Sequence, residues 1–190
     1  MSRKPCQPEE LGFFKKTIEN AERLASDAKL MVNHERAASA IMLSILSIEE
    51  LGKALITSWG VKNLANFRAY PTHVEKQAAT FALLSAYEIT KMSNARLRRK
   101  LADDGSSFMT MGPLSEQFVF ARSGFFDDMR MAVTYADQLP KMPLHHVENG
   151  VHVDLASEIL DWFRLARRAM FNVAAMELAS TFFENDLGRL

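Results

Sequence analysis

The sequence predicts an all-α protein, an antiparallel bundle of about five helices. Apolar residues recur at three- and four-residue steps through most of the chain, which is the helical period. No segment alternates polar and apolar residues as a strand does, and loops rich in Gly, Pro and Ser separate the helical runs. With 190 residues, 48% of them hydrophobic, the chain is long enough to form one domain, residues 1–190, around a core of its own.

The first two helices are predicted to form an antiparallel pair. Helix one runs from Pro8 to Val32, and we expect residues 1–7 before it to be mobile. Asn33 and His34 form a connection so short that the next helix must return alongside the first. That second helix runs from about residue 35 to Trp59, with Gly60 as its carboxyl cap.

The third helix is predicted to open with a capping box. Thr72 and Glu75 have the Thr-x-x-Glu spacing in which each side chain bonds the backbone N–H of the other residue. His73 then occupies the first helical position, where the positive end of the helix dipole favours the neutral imidazole. The helix is expected to continue through Arg96 to Lys100, so that its basic last turn complements the dipole.

Two loops and two helices complete the predicted bundle. Residues 103–113 and 140–153 are the loops. Helix four covers residues 114–138, with an interruption predicted at Ser123 and Gly124. Asp154 is expected to cap a final helix that extends to Asn185. That helix is apolar on nearly all sides, which predicts a place in the centre of the bundle or in a homodimer interface.

Composition excludes several classes of function. The formal net charge is zero, so no global field attracts nucleic acid or membrane, and only a local basic patch could do so. The single Cys6, the absence of a signal-peptide pattern and the lack of a membrane-length apolar run predict a cytoplasmic protein. There is no P-loop, Rossmann glycine pattern or HExxH motif. His145, His146 and His152 lack a nearby cysteine or fixed carboxylate, so we predict neither a metal site nor a cofactor.

The most informative stretch lies in helix two, where Glu49, Glu50, Gly52 and Lys53 interrupt an apolar helix. Adjacent helical residues lie about 100° apart, so the two carboxylates must face different directions. Lys53 is four residues after Glu49 and three after Glu50, so it can neutralise either one. Gly52 favours a close helix crossing. These charges form either a structural ion pair or the scaffold of a functional site.

Arg68 and His73 are the sharpest candidates for catalysis. A cation and a neutral imidazole five residues apart suit phosphodiester cleavage. The histidine takes the proton of a ribose 2′-hydroxyl, and the arginine stabilises the charge on phosphorus. The substrate must then be RNA, because DNA lacks this internal nucleophile. The competing interpretation is that His73 is an ordinary residue at a helix start.

A second charged cluster, residues 122–128, lies on helix four. It places Arg122 before two aromatic residues and two acids, of which Asp127 is the first. One interpretation is an anchoring salt bridge with Phe125 or Phe126 in the core. The other is that Arg122 is a second candidate for binding phosphate.

Taken together, these motifs identify a family resemblance. The chain resembles the AbiV family of bacterial abortive-infection proteins, a branch of the HEPN superfamily of helical bundles, over about residues 10–130. The stretches that carry the resemblance are residues 21–28, residues 37–40, Ser-Ile-Glu-Glu-Leu-Gly-Lys-Ala at 47–54, His73-x-x-Lys76, and Arg122 with Phe125, Phe126 and Asp127.

The resemblance implies an antiphage protein that halts growth or translation of the infected cell. HEPN proteins are commonly dimeric, metal-independent ribonucleases with an Arg-x4–6-His motif in a cleft between protomers. By this resemblance His73 is the general base and Arg68 or Arg122 the phosphate clamp. Glu49, Glu50, Lys53, Lys76 and Asp127 form the supporting network.

The partners expected from this resemblance are RNA, a second copy of the chain, and a phage-encoded activator or host translation protein. A hypothesis of a different class is a non-catalytic helical module that blocks translation by binding a phage or host protein. A small-ligand sensor around Glu49 and Lys53 is a third, with only the buried charge to support it.

Overall fold

The computed structural model describes residues 8–60, 71–96, 99, 115–134 and 149–187. Over these ranges the chain is helical and contains no strand, which confirms the all-α class. The described ranges contain seven helices of eight residues or more, so the expected count of about five is wrong. They are α1 (Pro8–Asn33), α2 (Ala37–Trp59), α3 (His73–Lys91), α4 (Ser115–Arg122), α5 (Phe125–Thr134), α6 (Asn149–Ala169) and α7 (Val173–Leu187).

Helices α1 and α2 agree closely with the prediction. Residues 34–36 connect them, and the two helices pack along each other. Glu35 adopts a positive φ of 54° in this turn, so α2 starts at Ala37 rather than at residue 35. Gly60 ends α2 in the left-handed conformation, with φ of 66°, and its N–H bonds Thr57 O at 3.1 Å. Glycine adopts this conformation without the steric cost that a Cβ atom brings.

The capping box that opens α3 is present, but the helix is shorter than predicted. Thr72 N–H donates to Glu75 Oε2 at 2.6 Å, and Glu75 N–H donates to Thr72 Oγ1 at 3.2 Å. At the other end, extended backbone at Met92 (ψ of 127°) takes the chain out of the helix after Lys91. Arg96 therefore lies beyond α3, and its predicted role in complementing the dipole is wrong.

The predicted interruption at Ser123 and Gly124 divides the fourth run into α4 and α5. Gly124 has a φ of 84°, a value that favours glycine, and it turns the chain between the two helices. Phe126 is buried, and its ring stacks on that of Phe81 at a centroid distance of 5.1 Å. Phe125, by contrast, remains 37% exposed.

The final predicted helix is two helices. α6 begins at Asn149, so Asp154 lies inside it and is not its cap. The helix ends at Ala169. Three residues later, the side chain of Asn172 accepts a hydrogen bond from the backbone N–H of Ala175 at 3.0 Å. Asparagine side chains compete for backbone hydrogen bonds in this way, and here the result is the start of α7.

Helix α6 is also not apolar on all sides. Ile159, Leu160 and Phe163 are buried, whereas Asp161 and Arg164 form an exposed ion pair at 2.7 Å. α6 therefore presents one apolar face to the bundle and one charged face to solvent.

Helix α2 occupies the centre of the described bundle. It packs against α1, α3, α5 and α6. Helix α3 in turn packs against α4 and α7. No helix within the described residues has the length and apolar character needed to span a membrane. The expectations for residues 1–7, 103–113 and 140–148 concern parts of the chain outside the described residues.

Candidate functional site

The site begins where α2 crosses α3. A Cβ atom added to Gly52 would overlap the backbone carbonyl of Lys76, so the two helices approach more closely than any other residue would allow. Thr80 reinforces the contact, because its hydroxyl donates to the carbonyl of Ile48 at 2.9 Å. The predicted close crossing at Gly52 is confirmed, and it brings the first turns of α3 against the middle of α2.

The two adjacent carboxylates of α2 face different directions, as predicted. The Glu49 side chain is only 3% exposed and points toward α3 and α5, whereas the Glu50 side chain is 21% exposed. Lys53 pairs with Glu50 at 3.4 Å, and its ammonium also lies 5.2 Å from the centre of the Phe13 ring. Glu50 and Lys53 therefore form a pair of their own, on a different face of α2 from Glu49.

Glu49 receives two short hydrogen bonds from the first turns of α3. Its Oε2 lies 2.6 Å from His73 Nδ1, and its Oε1 accepts from Gln77 Nε2 at 2.9 Å. His73 and Gln77 are four residues apart, which places them on the same face of α3. The side chain of Gln77 is fully buried, and that of His73 is 47% exposed.

Two cations complete the surroundings of Glu49. Lys76 Nζ lies 3.8 Å from Oε2, and Arg130 Nε, from α5, lies 3.6 Å from Oε1. Arg130 also binds Asp127, with Nη2 2.6 Å and Nε 3.1 Å from the same oxygen. We call Glu49, His73, Lys76, Gln77, Asp127 and Arg130 the Glu49 cluster. It joins α2, α3 and α5, and its two carboxylates are matched by two permanent cations.

Two members of this cluster, Gln77 and Arg130, are absent from the sequence-based prediction. Gln77 is four residues after His73, so it could have been found by extending the face of α3 that carries His73. Arg130 is three residues after Asp127, a spacing typical of an ion pair within a helix. Neither spacing indicates Glu49 as the shared partner, because that depends on how the helices cross.

The contact with Glu49 favours one tautomer of His73. A carboxylate without a proton only accepts hydrogen bonds, so the 2.6 Å contact with such a group favours the tautomer that carries its hydrogen on Nδ1. Nε2 is then the ring nitrogen with a free lone pair in the neutral imidazole. Because Glu49 is held by three other groups, the imidazole is oriented by a fixed acceptor.

Glu49, His73 and Asp127 also have the composition of a metal site. One ligand atom from each lies within 4.8 Å of the other two. The charges nearby fit a metal poorly. Lys76 and Arg130 already pair with the two carboxylates, and a divalent ion would have to displace them or lie beside them. The donor set is better matched to a hydrogen-bonded ion cluster.

The two arginines predicted to bind phosphate are placed differently. Arg68 lies outside the described residues. Arg122 ends α4 and is partly exposed. The turn after it packs on the start of α3, since a Cβ atom on Gly124 would lie 3.8 Å from Val74 Cγ2. Arg122 is the last residue of α4. It lies three positions before Phe125, which begins the helix that carries Asp127.

The family model of the HEPN AbiV proteins matches this chain over residues 10–162. The chain belongs to the HEPN AbiV family. The match extends from α1 into α6, about thirty residues beyond the resemblance found in the motifs, and it includes every member of the Glu49 cluster. Membership makes the chain an abortive-infection protein of the HEPN type. Neither a curated protein nor a solved structure shows significant similarity to it.

Proposed function

We propose that this HEPN AbiV protein is an antiphage effector that arrests growth or translation as a metal-independent endoribonuclease. The observation that carries the proposal is the half-exposed imidazole of His73, whose Nδ1 is held 2.6 Å from the buried carboxylate of Glu49. A histidine fixed in this way presents Nε2 as a general base, the arrangement that orients the base in many hydrolytic sites.

The reaction that suits such a base is an internal transfer within RNA. Nε2 of His73 takes the proton of a ribose 2′-hydroxyl, and the 2′-oxygen attacks the adjacent phosphorus. The bond from phosphorus to the 5′-oxygen breaks, that oxygen takes up a proton from water, and the imidazolium of His73 returns its proton to the solvent. The products are a 2′,3′-cyclic phosphate and a 5′-hydroxyl end. Glu49 stabilises the imidazolium that forms after the first step.

We propose that the phosphate is bound by a cation in addition to the two that pair with Glu49. Lys76 and Arg130 each lie within ion-pair distance of Glu49, so much of their charge is balanced there. Arg68 and Arg122 are the proposed clamps: Arg68 has the Arg-x4–6-His spacing to His73, and Arg122 matches the later Arg of the family resemblance. Glu50 and Lys53 then contribute to the stability of α2 and not to the reaction.

The proposal extends to the assembly and its control. We propose a homodimer in the cytoplasm, with activity released by a phage-encoded activator. What supports this is the membership in the HEPN AbiV family.

His73→Ala tests the nuclease directly, with His34→Ala as the matched control. His34 is an exposed histidine in the α1–α2 turn, away from the Glu49 cluster. Purified proteins are incubated with RNA in EDTA, and RNA from cells expressing each variant is examined in parallel. We expect cleavage by the wild type and by His34→Ala, and a loss of at least 100-fold in His73→Ala, as for a general base.

The chemical groups at the ends of the cleaved RNA distinguish the proposed mechanism from a metal-dependent one. A 2′-deoxy substitution at the cleaved position should abolish cleavage, and the products should carry 2′,3′-cyclic phosphate. Cleavage that EDTA abolishes, leaving 5′-phosphate ends, would refute the mechanism and assign Glu49, His73 and Asp127 to a metal.

One observation favours the second hypothesis, a non-catalytic module. The Glu49 cluster joins three helices, so all its contacts are also those of a structural cross-link. In that case His73→Ala stops growth as efficiently as the wild type, and RNA remains intact in both. That outcome would direct the search to a phage or host protein bound by the bundle.

A further inference from the structure

Two phenylalanine rings are exposed at the corner between α4 and α5. Phe120 is 44% exposed and Phe125 is 37% exposed, and their ring centroids lie 5.2 Å apart at an angle of 37°. Phe125 in turn contacts the buried Phe126 edge-on at 5.6 Å, which supports it from below. We call Phe120 and Phe125 the aromatic corner.

The aromatic corner lies beside the proposed active site. The turn between its two residues packs on the start of α3, with Gly124 against Val74, the residue that follows His73. Phe125 is the first residue of α5, the helix that supplies Asp127 and Arg130 to the Glu49 cluster. The backbone turn that carries the two rings therefore lies next to the residue that follows His73.

We propose that the aromatic corner stacks an unpaired nucleobase of single-stranded RNA next to the cleaved phosphate. This inference rests on the proposed nuclease function and names its substrate class. Sequence-tolerant recognition of single strands commonly uses exposed aromatic rings on which bases stack, whereas bases within a duplex keep their faces covered by their neighbours. The enzyme then cleaves loops and unpaired segments in preference to duplex RNA.

The size of the surface favours a nucleobase over a protein partner. Two phenylalanine side chains of roughly 200 Å² each, exposed to 44% and 37%, offer about 160 Å². A stable protein interface buries about 800 Å² on each partner. Among the described residues of α4 and α5, the exposed large apolar side chains are Phe120, Phe125 and Val119, which is 43% exposed, and their area suits a single base.

The experiment measures binding of a fluorescein-labelled single-stranded RNA and of its duplex, in the His73→Ala background so that the probe stays intact. Phe120→Ala and Phe125→Ala should each weaken single-strand binding by roughly 5- to 150-fold. Binding of the duplex should change less than twofold. Phe171→Ala is the matched control, because Phe171 is also an exposed phenylalanine, 78% accessible, in the α6–α7 turn. Melting curves verify that each variant is folded.

Two further variants separate stacking from simple apolar contact. Phe120→Trp should retain or improve single-strand affinity because it keeps an aromatic face, whereas Phe120→Leu should behave like Phe120→Ala. Equal affinity of all variants for single-stranded RNA would overturn the proposal. So would unchanged RNA affinity together with a loss of oligomers in light scattering, which would assign the corner to a protein interface.

Failure of the stacking proposal can be distinguished from failure of the nuclease proposal. If wild-type protein cleaves RNA and the phenylalanine variants cleave single strands with unchanged kcat/KM, the nuclease stands and the stacking site falls. If wild-type protein cleaves no RNA and binds no single strand, both proposals fall.

Discussion

Glu49 and Glu50 are neighbours in the sequence but occupy opposite kinds of environment. Glu49 is nearly inaccessible and is surrounded by four groups from two other helices. Glu50 is partly exposed and pairs with Lys53, a residue of its own helix. A rotation of about 100° per residue is sufficient to place one carboxylate inside the bundle and the other at its surface.

The difference shows that the same carboxylate group can either join several helices or form a contact within a single helix. A buried carboxylate with fixed donors is costly to disturb, because its partners are left without compensation when it is removed. A surface pair within one helix exchanges its contact for water at little cost. This contrast between Glu49 and Glu50 can be broken at the helix crossing, at the carboxylates and at the cations.

The largest effect is expected from Gly52→Ala, which attacks the crossing that brings His73 to Glu49. The added methyl group overlaps the Lys76 carbonyl, so α2 and α3 must separate. We expect a loss of about 3 kcal/mol or more in the free energy of unfolding, measured by urea denaturation. Gly12→Ala is the matched control, because nothing lies within 4 Å of its added Cβ.

The control should be neutral or stabilising by up to about 1 kcal/mol, since alanine favours a helix over glycine. If Gly52→Ala proves as stable as the wild type, the close crossing is not required. The position of His73 would then need another explanation.

The second prediction compares Glu49→Ala directly with Glu50→Ala. Removing Glu49 takes away the hydrogen-bond acceptor of Gln77 and His73 and the carboxylate paired with Lys76, while Arg130 keeps its contact with Asp127. We expect a loss of about 3 kcal/mol in unfolding free energy for Glu49→Ala, and about 0.5 kcal/mol for Glu50→Ala. Similar losses in the two variants, measured by thermal and urea denaturation, would contradict the contrast.

The smallest effects concern the cations and require double-mutant cycles. For Glu50 and Lys53 we expect a coupling energy of about 0.3 kcal/mol that disappears in 1 M salt. The cycle of Glu49 and Arg130 should give a larger coupling, about 1–3 kcal/mol, and should depend less on salt. A double-mutant cycle is needed because Lys53 also contacts the Phe13 ring, and the energy of that contact cancels in the cycle. A salt-sensitive coupling at Glu49 would show that water reaches it.

Local signals predicted much of the fold. The boundaries of α1 and α2, the Gly60 cap and the Thr72–Glu75 capping box depend on interactions within a few residues. The errors occurred where a local preference was weak or was overridden. Asn172 ends one helix and begins the next in a run that is otherwise apolar, and Met92 ends α3 before the basic segment that could have extended it.

The sequence by itself determined the helical class, the family, and the fact that Glu49 and Glu50 face apart, because these depend on composition, motif and helical period. Only the tertiary structure decided that Glu49 faces inward, that Lys53 pairs with Glu50, and that Arg130 joins His73 around one carboxylate. The physical reason is the sequence separation between the residues that interact. Caps and helical spacing act within a turn, whereas contacts between residues 24 to 81 positions apart exist only once the helices have packed.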